Sequence, residues 1–266
     1  MRSFNRKLNE FVIKTDSRLC VGLDINPEAF KKGSLKNLKE HTFNVIDATR
    51  DFAVAYKPNF AFFERWGSAG FAWLEETVSY IGNDHIKIAD AKRGDIGNTA
   101  KQYAESIFNH FNFDCVTVNP YLGKDSIDPF LNYEEKGVFI LCRTSNPSAK
   151  DFQDKLIGDK PLFAKVVEFA NKLNKFDNVG LVVGATATEE LKMIRNLSPE
   201  IPLLIPGIGS QGGDLVGSIK VSNKTGVGIV NISRGISFVG NMKREEIYKT
   251  AKNYHKQITN IMKNER

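Results

Sequence analysis

One rhythm constrains this chain more than any other feature. Short apolar, strand-like runs recur at Leu19–Leu23, Ala53–Tyr56, Ile86–Ala89, Cys115–Val118, Val138–Leu141, Val179–Val183, Leu203–Ile205 and Ile229–Ile232. Segments of helical period lie between and after them, near 36–52, 67–81, 98–111, 125–135, 160–176, 187–197, 212–222 and 243–262. Near-continuous apolar strands are those covered on both faces, and strand–helix alternation is the pattern of a parallel sheet. Eight such units predict an α/β fold, a closed (β/α)8 TIM barrel, with an open doubly wound sheet as the alternative. No linker or low-complexity segment interrupts the rhythm, so residues 1–266 read as a single barrel domain. A short amphipathic helix is expected in front of it, about residues 3–14, with Phe4, Leu8, Phe11 and Val12 on one side. The segment Gly33–Glu40 is less periodic, and Thr144 to Lys160 reads as a long loop of the kind that often covers a site.

A barrel builds its site from the C-terminal ends of its strands. Here those ends read Asp24; Lys57-Pro58-Asn59; Asp90, Lys92 and Asp95; Thr117-Val118-Asn119-Pro120; Arg143-Thr144-Ser145; Gly184-Ala185-Thr186; Pro206-Gly207 through Gly213; and Asn231-Ile232-Ser233-Arg234-Gly235. Turn chemistry explains glycines at such places, but not two lysines and three aspartates. The seventh and eighth ends combine glycines, which let backbone N–H groups approach an anion, with Arg234, which can grip one bidentately. They predict a phosphate site where barrels commonly carry one. Gly207-Ile208-Gly209-Ser210-Gln211-Gly212 also fits the dinucleotide fingerprint G-x-G-x-x-G, but it comes late in the chain and no ribose-binding acid follows about 20 residues on.

The densest chemistry lies in residues 85–99, HIKIADAKRGDIGNT. In an extended strand, residues two apart point the same way, which places Asp90 and Lys92 side by side. Gly94 and Gly97 then allow a sharp turn, and Asn98 or Thr99 is positioned to cap a helix from about Ala100. Taken alone, Asp-x-Lys could be a solvated ion pair of little consequence. Its place among the other strand ends argues for a site.

Composition excludes several classes. Lys and Arg outnumber Asp and Glu by 37 to 31, a net charge of +6 that mildly favours an anionic ligand. The basic residues are spread along helices and not interleaved with aromatics, which argues against nucleic acid. No apolar run reaches the length of a membrane span, and the N-terminus lacks a signal-peptide core, so the chain reads as cytoplasmic. Cys20, Cys115 and Cys142 lie in the predicted strand regions, odd in number and without ligand spacing, as buried free thiols would. His41, His85, His110 and His255 are scattered, and no metal site is expected.

With these residues in view the chain resembles the orotidine 5′-phosphate decarboxylase family over nearly its whole length. Asp90-Ala-Lys92-Arg-Gly-Asp95-Ile96 fits that family's Asp-x-Lys-x-x-Asp-Ile signature. Leu19-Cys-Val-Gly-Leu-Asp24 looks like its first strand, Lys57 like its second-strand lysine, and Pro206-Gly-Ile-Gly-Ser-Gln211-Gly-Gly with Arg234-Gly235 like its phosphate grip. Tyr56 to Glu64, YKPNFAFFE, together with Thr144-Ser-Asn-Pro147, is similar to a longer bacterial and parasite branch. The resemblance implies a (β/α)8 barrel acting as a homodimer without cofactor or metal. It implies conversion of orotidine 5′-monophosphate (OMP) to UMP and CO2, in pyrimidine biosynthesis, through Lys57, Asp90, Lys92 and Asp95, with Lys92 protonating the ring carbanion. Asp95, Ile96 and Thr99 would reach into the partner's site; Asp24 and Asn59 would hold the ribose; Ser145 and Gln211 would meet the pyrimidine. Pro206, Arg234 and Gly235 belong to the phosphate end, and Asn119 stands among the substrate-binding candidates. The rival readings are a related magnesium-dependent keto-acid phosphate decarboxylase and a non-catalytic phosphate-ligand binding protein.

Overall fold

All eight apolar runs are strands in the computed structural model, which describes residues 2–209 and 212–264. They are β1 (Leu19–Leu23), β2 (Ala53–Pro58), β3 (Ile86–Arg93), β4 (Cys115–Val118), β5 (Gly137–Arg143), β6 (Val179–Val183), β7 (Leu203–Pro206) and β8 (Gly228–Ile232). Each pairs in parallel with its neighbours in sequence, and β8 returns to β1, so the sheet is a closed barrel. The open-sheet alternative is thereby set aside. Closure leaves the barrel sheet itself without an unpaired edge.

Side chains alternate along each strand between two cores. Cys20, Ile86, Ile88, Cys115, Phe139, Leu204 and Ile229 fill the barrel, while Val21, Ala89, Val116, Ile140, Leu181 and Val230 pack outward against the helices. The helix Phe4–Thr15 closes the floor. Its buried Phe4, Leu8 and Val12 join the barrel interior, and the Phe4 ring meets Phe139 edge-on at 6.1 Å. The approach needs Gly137, because a Cβ there would lie 2.3 Å from the Phe4 ring. Phe11, the fourth residue of the expected apolar face, is only partly buried.

The helices differ from expectation where turns compete with them. The segment near 125–135 shrinks to a 3-10 turn at Lys124–Ser126 and a single turn at Asp128–Leu131, anchored by Ile127, Phe130 and Leu131, and β5 begins soon after, at Gly137. The helix after β3 starts at Gly97, so Asn98 and Thr99 lie within its first turn and neither caps it. Its far end passes into a π turn at Ser106–His110. The Gly33–Glu40 segment is helical from Leu35, with Ser34 accepting from the Asn37 N–H at 3.3 Å. The long loop holds a 3-10 turn at Pro147–Asp151 and a two-residue ribbon, Leu156–Ile157 against Lys160–Pro161. Gln153 Oε1 accepts from the Thr144 N–H at 2.7 Å and Arg143 pairs with Asp154 at 2.8 Å, tying that loop to the end of β5.

Candidate active site

The inward ladders of neighbouring strands end in polar residues at the barrel mouth. On β3 the ladder Ile86, Ile88 ends in Asp90, and on β2 Ala55 is followed inward by Lys57. Cys115 on β4 is followed by Thr117, and Cys20 on β1 by Gly22 and then Asp24. Period-two geometry thus converges these groups on one space.

Their tips meet. The Lys57 ammonium donates to Asp90 Oδ2 and the Lys92 ammonium to Asp90 Oδ1, the latter at 2.5 Å. Thr117 Oγ1 also donates to Asp90 Oδ1, at 3.2 Å. The Lys57 and Asp90 side chains are almost wholly buried, whereas that of Lys92 is half exposed and faces the opening. Burial alone would push the Asp90 carboxyl up; Lys57 and then Lys92 outweigh it and hold the group well below the usual carboxylate range. Burial likewise works against the Lys57 charge, yet Asp90 and Asp24 hold that ammonium above the ordinary lysine range. The mouth therefore keeps fixed charges of both signs out of water.

Lys92 reaches Asp90 by a route that simple alternation does not describe. Between Ala89 and Arg93, β3 takes four residue steps while β4 takes two, from Val116 to Val118. Asp90, Ala91 and Lys92 form the bulge. Lys92 has φ +47°, the left-handed region that non-glycine residues seldom enter, and its N–H donates to Thr117 Oγ1 at 3.0 Å. Bulges of this kind re-aim side chains, and strain kept at such a position belongs to sites held rigidly by their surroundings.

Other expected residues stand around this group. Asp24 is half-buried, and its Oδ1 is a buried oxygen with no partner among the described residues. Asn59 bridges β2 to Asp90 through its backbone and caps the helix Phe60–Glu64, accepting from the Ala61 N–H at 3.3 Å. Asn119 is exposed and caps the turn Pro120–Leu122. Ser145 is half-buried at the end of β5 and packs on Gly184, where a Cβ would lie 2.7 Å from the Ser145 nitrogen. Asp95, Ile96 and Thr99 do not join the Lys57–Asp90–Lys92 group within the chain: Asp95 Oδ1 accepts from the Ile96 N–H at 2.8 Å, and Ile96 and Thr99 are exposed. The nearby Arg93 is held by Glu64 at 2.6 Å and stacks on Phe60 and Tyr103.

The residues expected to hold an anion follow β7 and β8. Pro206 closes β7, and Gly207 and Gly209 take φ of +103° and +81°, which glycine alone adopts readily. The turn closes on itself through the Gly213 N–H to Gly207 O bond at 3.1 Å. Arg234 is exposed and opens the short helix Arg234–Ser237, with Gly235 beside it. A Cβ on either Gly209 or Gly235 would lie 3.3 Å from the Tyr254 hydroxyl, so one side chain of the last helix backs both turns. Gln211 lies outside the described residues. Among those described, no three His, Cys, Asp or Glu side chains gather in a way that could hold a metal ion, and no helix is long and apolar enough to cross a membrane.

Sequence reasoning placed Thr117 at a strand end but gave no role to it, the hydroxyl that ties Asp90 to the Lys92 backbone. The signal was the inward alternation from Cys115, which marks Thr117 as mouth-facing.

Known proteins share this sequence and this architecture. A profile of the Orotidine 5′-phosphate decarboxylase / HUMPS family matches residues 17–246. An orotidine 5′-phosphate decarboxylase of Halorubrum lacusprofundi is 47% identical over 249 residues, covering 90% of this chain and 88% of that protein. One of Dehalococcoides mccartyi is 46% identical over 241 residues, covering 88% of each. Among solved structures, Leishmania donovani OMP decarboxylase superposes with a TM-score of 0.85 at 37% identity, covering 97% of this chain and 98% of that one. Leishmania donovani UMP synthase gives 0.88 at 38% identity, with 98% of this chain matching 57% of that longer one. Signature, barrel and sequence coverage agree, and the chain belongs to the orotidine 5′-phosphate decarboxylase / HUMPS family.

Proposed function

We propose that the chain decarboxylates OMP to UMP and CO2, with Lys92 as the proton donor. The observation that carries this reading is Asp90 held between two ammonium groups at the barrel mouth. When the bond from the ring carbon to the carboxylate breaks, its electron pair stays on the ring carbon and CO2 leaves. A fixed ammonium stabilises that charge as it develops and then supplies the proton. Asp90 stays ionised between its lysines, so a substrate carboxylate brought beside it is destabilised until it departs as CO2. Two charges ~4 Å apart interact by ~4 kcal/mol at an effective dielectric of ~20, so Lys92 acts together with a rigid, water-poor site. The unpartnered Asp24 oxygen suits a ribose hydroxyl, with Asn59 beside it; Ser145 and Gln211 serve the pyrimidine; Pro206, Arg234 and Gly235 serve the phosphate.

The curated relatives favour this substrate over that of a keto-acid phosphate decarboxylase. The test is the ultraviolet assay of OMP loss in excess EDTA. Wild type is expected to turn over. Lys92→Ala is expected to fold and bind UMP, with activity lower by at least about 10⁴-fold. Near-normal turnover in that variant removes the proton-donor role, and no turnover in wild type removes the function.

The active form is a homodimer in which Asp95, Ile96 and Thr99 complete the partner's site. Ile96 and Tyr121, 54% and 85% exposed, are apolar groups standing on the mouth rim after β3 and β4. Sedimentation of Ile96→Asp is expected to show monomers where wild type sediments as dimers; dimers of both would refute this contact. Three buried free cysteines suit a cytoplasmic, reducing setting.

A further inference from the structure

Strand β3 carries a second lysine that the mouth does not use. Lys87 lies near its floor end and is 4% exposed. Its backbone N–H donates to Asp114 Oδ2 at 2.8 Å, but among the described residues its ammonium has no hydrogen-bond or ion-pair partner. Asp114 is already taken by Lys7, whose ammonium sits 2.6 Å from Oδ1. Lys136, close by, donates to Phe113 O at 2.7 Å. Burial pulls the Lys87 ammonium below the usual lysine range; Asp114 counters this in part, and Lys7 adds to it. Three ammonium groups thus crowd one carboxylate, and the Lys87 ammonium, the one without a protein partner among the described residues, opens onto the space beside it.

Lys87 lines a cavity of about 340 Å³ between the end of the helix Gly67–Ile81 and the π turn Ser106–His110. Val78 and Phe111 form apolar walls, and Asn83 and Asn112 bring amide groups. Glu75, also at this cavity, has its carboxylate held by the His110 ring at 2.8 Å, and an anion must be seated on the Lys87 side of the space. The volume is at the small end of the ~300–1,000 Å³ typical of small-molecule sites.

We propose that this cavity binds a small organic anion, with its carboxylate or phosphate group against the Lys87 ammonium and its apolar body between Val78 and Phe111. The anion supplies the counter-charge that Asp114 cannot, and the amides of Asn83 and Asn112 donate to its remaining oxygens. This site lies on the outer side of the barrel, at the end opposite the mouth, and does not depend on the decarboxylase reading.

Benzoate and inorganic phosphate are the probes. Calorimetry on the full chain compares wild type, Lys87→Met and Arg234→Ala, the last reporting any binding at the mouth. Benzoate is expected to bind wild type and Arg234→Ala alike, and Lys87→Met about tenfold or more weakly. Brief acetylation with acetic anhydride and peptide mass mapping then read Lys87 directly. Saturating benzoate is expected to slow Lys87 labelling about fivefold or more while leaving Lys7 unchanged. Should Lys87→Met fail to fold, labelling of wild type decides alone. Equal benzoate affinity in wild type and Lys87→Met overturns the proposal, as does Lys87 labelling indifferent to benzoate. Protection by phosphate and not by benzoate also overturns it, since the apolar walls would then contribute nothing.

Discussion

At the mouth, Asp90 gives one oxygen to Lys57 and the other to Lys92. At the floor, Asp114 gives one oxygen to Lys7 and the other to the backbone N–H of Lys87, whose own ammonium is left out. Both carboxylates are buried. The mouth aspartate closes an inward ladder and turns its charges into the barrel, where a substrate would meet them. The floor aspartate precedes β4, ties the N-terminal helix to β3 and braces the fold. Barrels separate these duties, with chemistry at the C-terminal ends of the strands and stability at the other. Aspartate–lysine contacts therefore mean different things according to which end of a strand bears them.

Charge removal tests that difference most severely. Asp90→Asn strands the buried Lys57 ammonium, and breaking a buried pair in this way costs about 3–5 kcal/mol. Asp114→Asn keeps an oxygen that can still accept from Lys87 and loses the pairing with the partly exposed Lys7, about 1–2 kcal/mol. Urea titrations check both, and activity is expected to vanish only in Asp90→Asn. The pH dependence has a definite sign. The folded-state Asp90 carboxyl is depressed, so its contribution is complete above the unfolded value of about 4 and is lost as pH falls through the folded one. Lys57 is raised, so its contribution is complete below about 10.4 and is lost only as pH climbs through its folded value. The gap between wild type and Asp90→Asn should close in acid, and it should also narrow on the alkaline side, where the variant's unsupported Lys57 sheds its proton. A gap that widens in acid would contradict this, as would Asp114→Asn losing more stability than Asp90→Asn.

Arg234→Ala separates the two ends by ligand. Loss of a charge-assisted grip of about 1.5–3 kcal/mol should weaken UMP roughly tenfold to a hundredfold. Uridine, which lacks the phosphate, should be nearly unaffected, and so should benzoate at the floor. Equal losses for UMP and uridine would argue against a phosphate clamp.

The barrel was legible because its strands are buried on both faces, and burial writes continuous apolar runs into a sequence. Leu19–Leu23, Cys115–Val118 and Val179–Val183 match to the residue. Short helices were less legible, since Phe60–Glu64 and Arg234–Ser237 are too brief to display a period. At the barrel mouth, residue types and order singled out Lys57, Asp90 and Lys92, whose side chains do meet, but extended-strand geometry gave the wrong reason for the Lys92 contact. The bulge that aims it depends on the register against β4, which a single strand's sequence does not record. Lys87 was illegible for a related cause. A lysine between Ile86 and Ile88 reads as solvent-facing, and only the packing of two helix ends over it makes it buried.

The smallest expected effect tests the bulge itself. Thr117 Oγ1 accepts from the Lys92 N–H and donates to Asp90 Oδ1, so one hydroxyl holds both the strained backbone and the carboxylate. Thr117→Val keeps the β-branched shape on β4 and removes these bonds together with a long contact to the Ala89 carbonyl at 3.5 Å. A neutral hydrogen bond contributes about 1 kcal/mol, and one to a charged group somewhat more. The variant should therefore fold normally and lose about tenfold in kcat, with KM for OMP little changed, because Thr117 acts by positioning Lys92 and Asp90. A rise in KM at constant kcat would mean that Thr117 binds substrate directly. Unchanged kinetics would mean that the β3–β4 register alone holds Lys92 in its left-handed conformation, and the mouth would then owe its rigidity, like the floor, to backbone packing.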